Sequence, residues 1–168
     1  MGFCIIRPNR SAVRDSEQFA LATVSIGSLA LGHAVLTWPT SAVLALFGGG
    51  AVVAFVAEAA VVHLGWLEHH IGPKLAGVPL YVLFGWTGVV YVAVRTVLLV
   101  TSGWPAVIAA TGLATTYDLL TDHRGVEEGY WTYTDDLPGP RYRAVPWWNF
   151  AGWLLISTTT AGLALSVL

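Results

Sequence analysis

Residues 41–66 read SAVLALFGGGAVVAFVAEAAVVHLGW, and within them Glu58 is the only Asp, Glu, Lys or Arg. A helix rises 1.5 Å per residue and a bilayer's hydrocarbon layer is about 30 Å thick, so about 20 apolar residues suffice to cross it. This stretch is long enough. Four more resemble it: Phe19 to Trp38, Val78 to Thr101, Trp104 to Leu120 and Pro146 to Leu168. Backbone groups in lipid must pair within their own segment, and the alternation of barrel strands is missing, so all five read as helices. The expected fold is an all-α integral membrane protein, a compact bundle of about five transmembrane helices.

The composition agrees. Of 168 residues 55% are hydrophobic and 11% charged, and mean hydropathy is +0.66, which excludes an ordinary soluble globule and a disordered chain. A net charge of -2 provides no basic field for nucleic acid. The single Cys4 can form neither an internal disulfide nor a cysteine-rich zinc site.

Lys and Arg collect on cytoplasmic loops. With the N-terminus inside, Arg7, Arg10, Arg14, Lys74, Arg124, Arg141 and Arg143 all fall on the cytoplasmic side, leaving Arg95 within a span. Arg95 is near the outer end, where a guanidinium can reach the interface. The first span lacks an A-x-A cleavage pattern and is read as retained. The organisation expected is a basic cytoplasmic segment over 1–18, then one transmembrane domain over 19–168 in a multi-pass protein of the cell membrane. An acidic, aromatic cytoplasmic loop is expected at 121–145. Short connections around Pro39 and Ser102 to Trp104 require antiparallel hairpins. Gly27, Gly32, Gly48 to Gly50, Gly85 and Gly88 suit close helix packing, and the triple glycine could loosen its helix. No internal repeat stands out.

An ionisable group inside a span is costly unless paired, neutralised or wet, which makes Glu58 the first residue to explain. Burial disfavours its charged form, so it reads either as a proton donor or as a neutral acid bonded to another helix. Asp118 and Asp122 are four apart and share a helix face if the fourth helix continues that far. They suit water activation, magnesium-diphosphate binding or simple solvation. His63, His69 and His70 with Glu68 lack regular ligand spacing and read as an interfacial, hydrogen-bonded cluster, so no metal site is expected. His33 is expected to bond between helices. Trp131, Tyr133 and Trp153 form an aromatic group around the last loop and helix, either a headgroup-level anchor or a box that stabilises positive charge through ring faces, and Asn149 shares a face with Trp153 where it needs a partner.

The succession Gly72-Pro73-Lys74-Leu75-x-x-Val78-Pro79-Leu80, Trp86, Asp118-x-x-x-Asp122, Gly129-x-Trp131-x-Tyr133 and Pro146-x-x-Asn149-Phe150-x-Gly152-Trp153 resembles the membrane carotenoid-biosynthesis family. That family includes bisanhydrobacterioruberin hydratases and related carotenoid end-group hydratases. The resemblance implies cofactor-independent hydration of the terminal C=C of an acyclic carotenoid, a polyene lipid drawn from the membrane. On chemical grounds Glu58 is the candidate acid, with Asp118 and Asp122 orienting or deprotonating water. Trp86, Trp131, Tyr133, Asn149 and Trp153 are candidate substrate-binding residues. Two readings compete with this one. The chain could be a non-catalytic carotenoid-binding protein, or a membrane subunit that assembles with itself or with a partner. A magnesium-dependent prenyltransferase would use Asp118 and Asp122, but the second acidic motif of such enzymes is missing.

Overall fold

Pro39 stops the first helix, because its ring disfavours helical geometry in the residue before it. In the computed structural model, which describes residues 10–168, helix α1 (Arg10–Thr37) ends there, and Pro39 caps α2 (Thr40–Val43). Cys4, Arg7 and half of the basic segment expected at 1–18 lie outside the described residues. A six-residue π turn, Leu44–Gly49, carries α2 into α3 (Gly50–His63). Glycines hold a helix weakly, and the expected loosening at the triple glycine takes the form of this wider turn.

Strands β1 (Leu67–His69), β2 (Lys74–Leu75) and β3 (Val78–Pro79) follow, then α4 (Leu80–Val97) and α5 (Gly103–Glu127). Strands β4 (Trp131–Tyr133), β5 (Arg141–Tyr142) and β6 (Val145–Pro146) lead to α6 (Trp147–Leu165). The loop expected from Thr121 therefore begins later, since α5 runs on to Glu127 and keeps Asp118 and Asp122 on one helix.

The chain is mostly helical. Among the described residues three helical segments are long and apolar enough to cross a membrane: Arg14–Thr37, Thr40–His63 and Leu80–Val97. Small side chains fill the interior, among them Ala34, Ala42, Ala54, Ala110, Ala161 and Ala164, while Leu29, Leu36, Val52, Ile108 and Leu155 face outward. That distribution suits a lipid-facing surface, where close backbone approach rather than water exclusion holds helices together. Gly27 and Gly88 demonstrate it at the α1–α4 contact. A Cβ on Gly27 would strike Phe84, and one on Gly88 would lie 3.1 Å from the Gly27 Cα. His33 bonds α1 to α4 as expected, with its Nδ1 2.6 Å from the Tyr91 hydroxyl.

One expectation is overturned: the chain does contain an internal repeat. The unit α3–β1–β2–β3–α4 recurs as α5–β4–β5–β6–α6. Gly65 and Gly129 both leave their helices at positive φ, 71° and 72°. The Trp66 amide donates to Val61, and the Tyr130 amide to Gly125 in the same way. Strands β1 and β4 pair antiparallel with Leu67 opposite Tyr133 and His69 opposite Trp131, a register that maps onto itself when the units are exchanged. The flanking bonds match too, His70 N to Tyr130 O at 2.8 Å and Thr134 N to Trp66 O at 2.9 Å. Beyond the strand the second unit has a three-residue insertion, after which Gly72-Pro73, Val78-Pro79 and Gly85-Trp86 correspond to Gly139-Pro140, Val145-Pro146 and Gly152-Trp153. Ala76 and Arg143, with φ of 49° and 54°, occupy the same turn position in the two hairpins. The units are thus related by a local two-fold through the β1–β4 ribbon. Helix α1 stands outside this symmetry and packs on α4.

Candidate active site

The C-termini of α3 and α5 and the N-termini of α4 and α6 all lead into strands, so the β elements gather at one end of the bundle. Beneath them lies a cavity of about 410 Å³. All eight residues singled out from the sequence line it: Glu58, Trp86, Asp118, Asp122, Trp131, Tyr133, Asn149 and Trp153.

Each of the three carboxyls singled out from the sequence has its own partner in the cavity. Glu58 Oε1, from α3, is 2.6 Å from His69 Nε2 on β1, and both side chains are buried. The Tyr133 hydroxyl on β4 donates to Asp122 Oδ2 at 2.8 Å. Asn149 Nδ2, at the start of α6, donates to Asp118 Oδ2 at 2.9 Å, and Asp118 is only 3% exposed. Burial, reinforced by the negative charge of Asp122, pushes the Tyr133 phenol well above its usual range near 10, so it remains a donor. Trp86 and Trp153, equivalent in the repeat, stack across the cavity with centroids 3.6 Å apart. Trp131 lies over α5 at Gly125, where a Cβ would collide with its ring.

His69 corrects the expectation of a single interfacial histidine cluster. Strand alternation sends neighbouring side chains to opposite faces. His69 therefore points inward while His70 turns out to Thr132 Oγ1 at 3.1 Å, and His63 is exposed. A signal for His69 was present in the sequence: it follows Glu58 by the same 11 residues that separate Tyr133 from Asp122. His69 Nδ1 and the Tyr81 hydroxyl are buried without hydrogen-bond partners, and both residues line the cavity. Among the described residues no group of three or more His, Cys, Asp or Glu side chains is placed to hold a metal ion.

The arrangement is a helical bundle with long apolar spans, holding a mainly apolar cavity with several aromatic rings in its wall and acid side chains aimed into it. The family comparison gives this class a narrower identity. Residues 20–168 match the model of the carotenoid biosynthesis protein family; the chain belongs to that family, and its role lies in carotenoid biosynthesis. No curated protein and no solved structure matches it.

Proposed function

We propose that the chain hydrates the terminal C=C of an acyclic carotenoid without a cofactor, working as a five-span bundle of the cell membrane with its N-terminus in the cytoplasm. The observation that carries this reading is the convergence of three carboxyls, two of them buried, and two stacked tryptophans on one cavity. Hydration of a trisubstituted alkene needs an acid, a place for a transient tertiary cation, and a base for water. Glu58 is the acid. Its proton forms the new C–H bond with the alkene's π electrons and leaves the positive charge on the tertiary carbon. The ring faces of Trp86 and Trp153 stabilise that charge, and Trp131 helps exclude bulk water. A water molecule held by Asp118 or Asp122 donates a lone pair to form the C–O bond and gives its surplus proton to the carboxylate. Return of that proton to Glu58 closes the cycle, so only water and alkene are consumed.

The apolar exterior fits a substrate taken from the bilayer. The cavity is of a size to enclose an end group, while the rest of a long polyene stays in lipid.

The test is a pigment chromatogram of membranes that contain the protein and an acyclic carotene. The wild-type chain should yield the tertiary alcohol, whereas Glu58→Gln or Asp118→Asn should lower conversion by about a hundredfold or more at equal protein abundance. Full conversion by both variants would remove these residues from the mechanism. Absence of any alcohol from the wild type would overturn the function itself.

A further inference from the structure

We infer that His69 is a positioning residue that holds the proton Glu58 delivers, and that exchange of His69 for Tyr133 between the two repeat units sets the direction of proton flow across the cavity. This rests on the hydration reading above.

The two carboxyl pairs occupy equivalent places. Glu58 and Asp122 sit on the equivalent helices α3 and α5, and each reaches 11 residues ahead to the last residue of the strand that follows. The β1–β4 ribbon fixes both strands in one register. With the scaffolds matched, what differs is the chemistry of the partner.

An imidazole can accept or donate a proton at Nε2, so the proton between His69 and Glu58 can reside on either atom across 2.6 Å. This pair can release a proton to a substrate and be recharged. Tyr133 offers no such exchange, because a phenol in that setting keeps its hydrogen and serves only as a donor to Asp122. While burial lifts the pKa of the Asp122 carboxyl to about 7, this bond holds its Oδ2 as an acceptor. Asn149 does the same for Asp118, and an amide has no proton to exchange near neutrality. At the corresponding places the first unit has Ala54 and Val82, so no third pair exists on that side. The first unit is therefore the acid face and the second the base face. The surroundings of His69 agree: its Nδ1 is buried with no partner, its ring meets the edge of Trp131 with centroids 6.2 Å apart, and the Lys74 ammonium donates to its backbone carbonyl. The imidazole is held by its strand and its carboxyl partner, with one nitrogen left over.

The experiment compares wild type, His69→Gln, His69→Ala and Tyr133→Phe in membranes supplied with an acyclic carotene, measuring alcohol formed, protein abundance and carotene co-purified. His69→Gln can still donate a hydrogen bond to Glu58 but cannot hold the proton, and conversion should fall by about a hundredfold with carotene binding retained. His69→Ala should be equally slow, and added imidazole should restore conversion in proportion to its concentration, which a purely structural role would not allow. Tyr133→Phe removes one hydrogen bond and should slow the reaction by about tenfold, with no response to imidazole. Conversion by His69→Gln within about threefold of wild type overturns the inference, as does a folded, carotene-binding His69→Ala that imidazole leaves unchanged. Either result leaves the hydratase reading standing, provided the wild type makes alcohol.

Discussion

The two repeat units share a backbone plan and differ in what they place in the cavity. The first, from Gly50 to Val97, contributes Glu58 with a histidine partner; the second, from Gly103 to Leu165, contributes Asp122 with a tyrosine and Asp118 with an asparagine. Packing differs as well. The second unit sets Gly125 under the large ring of Trp131, where the first has Val61 and Leu67. A duplicated scaffold has thus kept its turns, register and Trp86–Trp153 stack while its polar groups diverged. The conserved geometry holds the cavity together, and the divergent side chains define its chemistry.

The largest effect on stability is expected where the units differ most in volume. Gly125→Val should cost about 3 kcal/mol by overpacking against Trp131, and addition of Trp131→Leu, which recreates the first unit's combination, should recover much of it. Thermal denaturation of the four species of this cycle measures the coupling, and simple additivity would mean that the two positions do not compensate each other. Next comes Asn149→Val, which installs the residue type of the matching Val82 and leaves the buried Asp118 carboxyl without its donor. A loss of about 2 kcal/mol is expected by the same measurement, and an unchanged midpoint would show that this pair does not hold the second unit together.

Tyr133→Phe should cost less, about 1 kcal/mol, because Asp122 is only half-buried and water can substitute for the lost donor. It also carries a pH signature. The folded-state value of Tyr133 is raised, so its contribution is complete below the unfolded value near 10 and declines as pH climbs above it. Stability of the wild type should fall above about pH 10, and Tyr133→Phe should lessen that fall. Identical alkaline curves would mean that the phenol ionises as freely in the fold as outside it.

Much of the fold was legible because apolar length and its interruptions are local signals. Pro39 and the Ser102 region separated the helices, and Asp118 and Asp122 were placed on one face by four-residue spacing alone. The lining residues were found through chemistry and resemblance, since charged or aromatic side chains near a span end are conspicuous. The repeat escaped notice for a physical reason. Its matched positions are chiefly Gly, Pro and Trp, which mark turns and contacts, and the three-residue insertion after β4 shifts their alignment midway. His69 was missed because inward or outward direction on a short strand depends on pairing with β4, a partner more than sixty residues away.

The ribbon that joins the units has a mechanical consequence. His69 and Tyr133 lie at opposite corners of the same three-residue ladder, so neither can be repositioned independently of the other strand. A slip of one residue in the pairing would leave His69 and Tyr133 on opposite faces of the ribbon, because opposed residues share a face and side-chain direction alternates along a strand. The partners of acid and base could then not face the cavity together, so the register of this short ladder is what keeps both halves of the chemistry on one side.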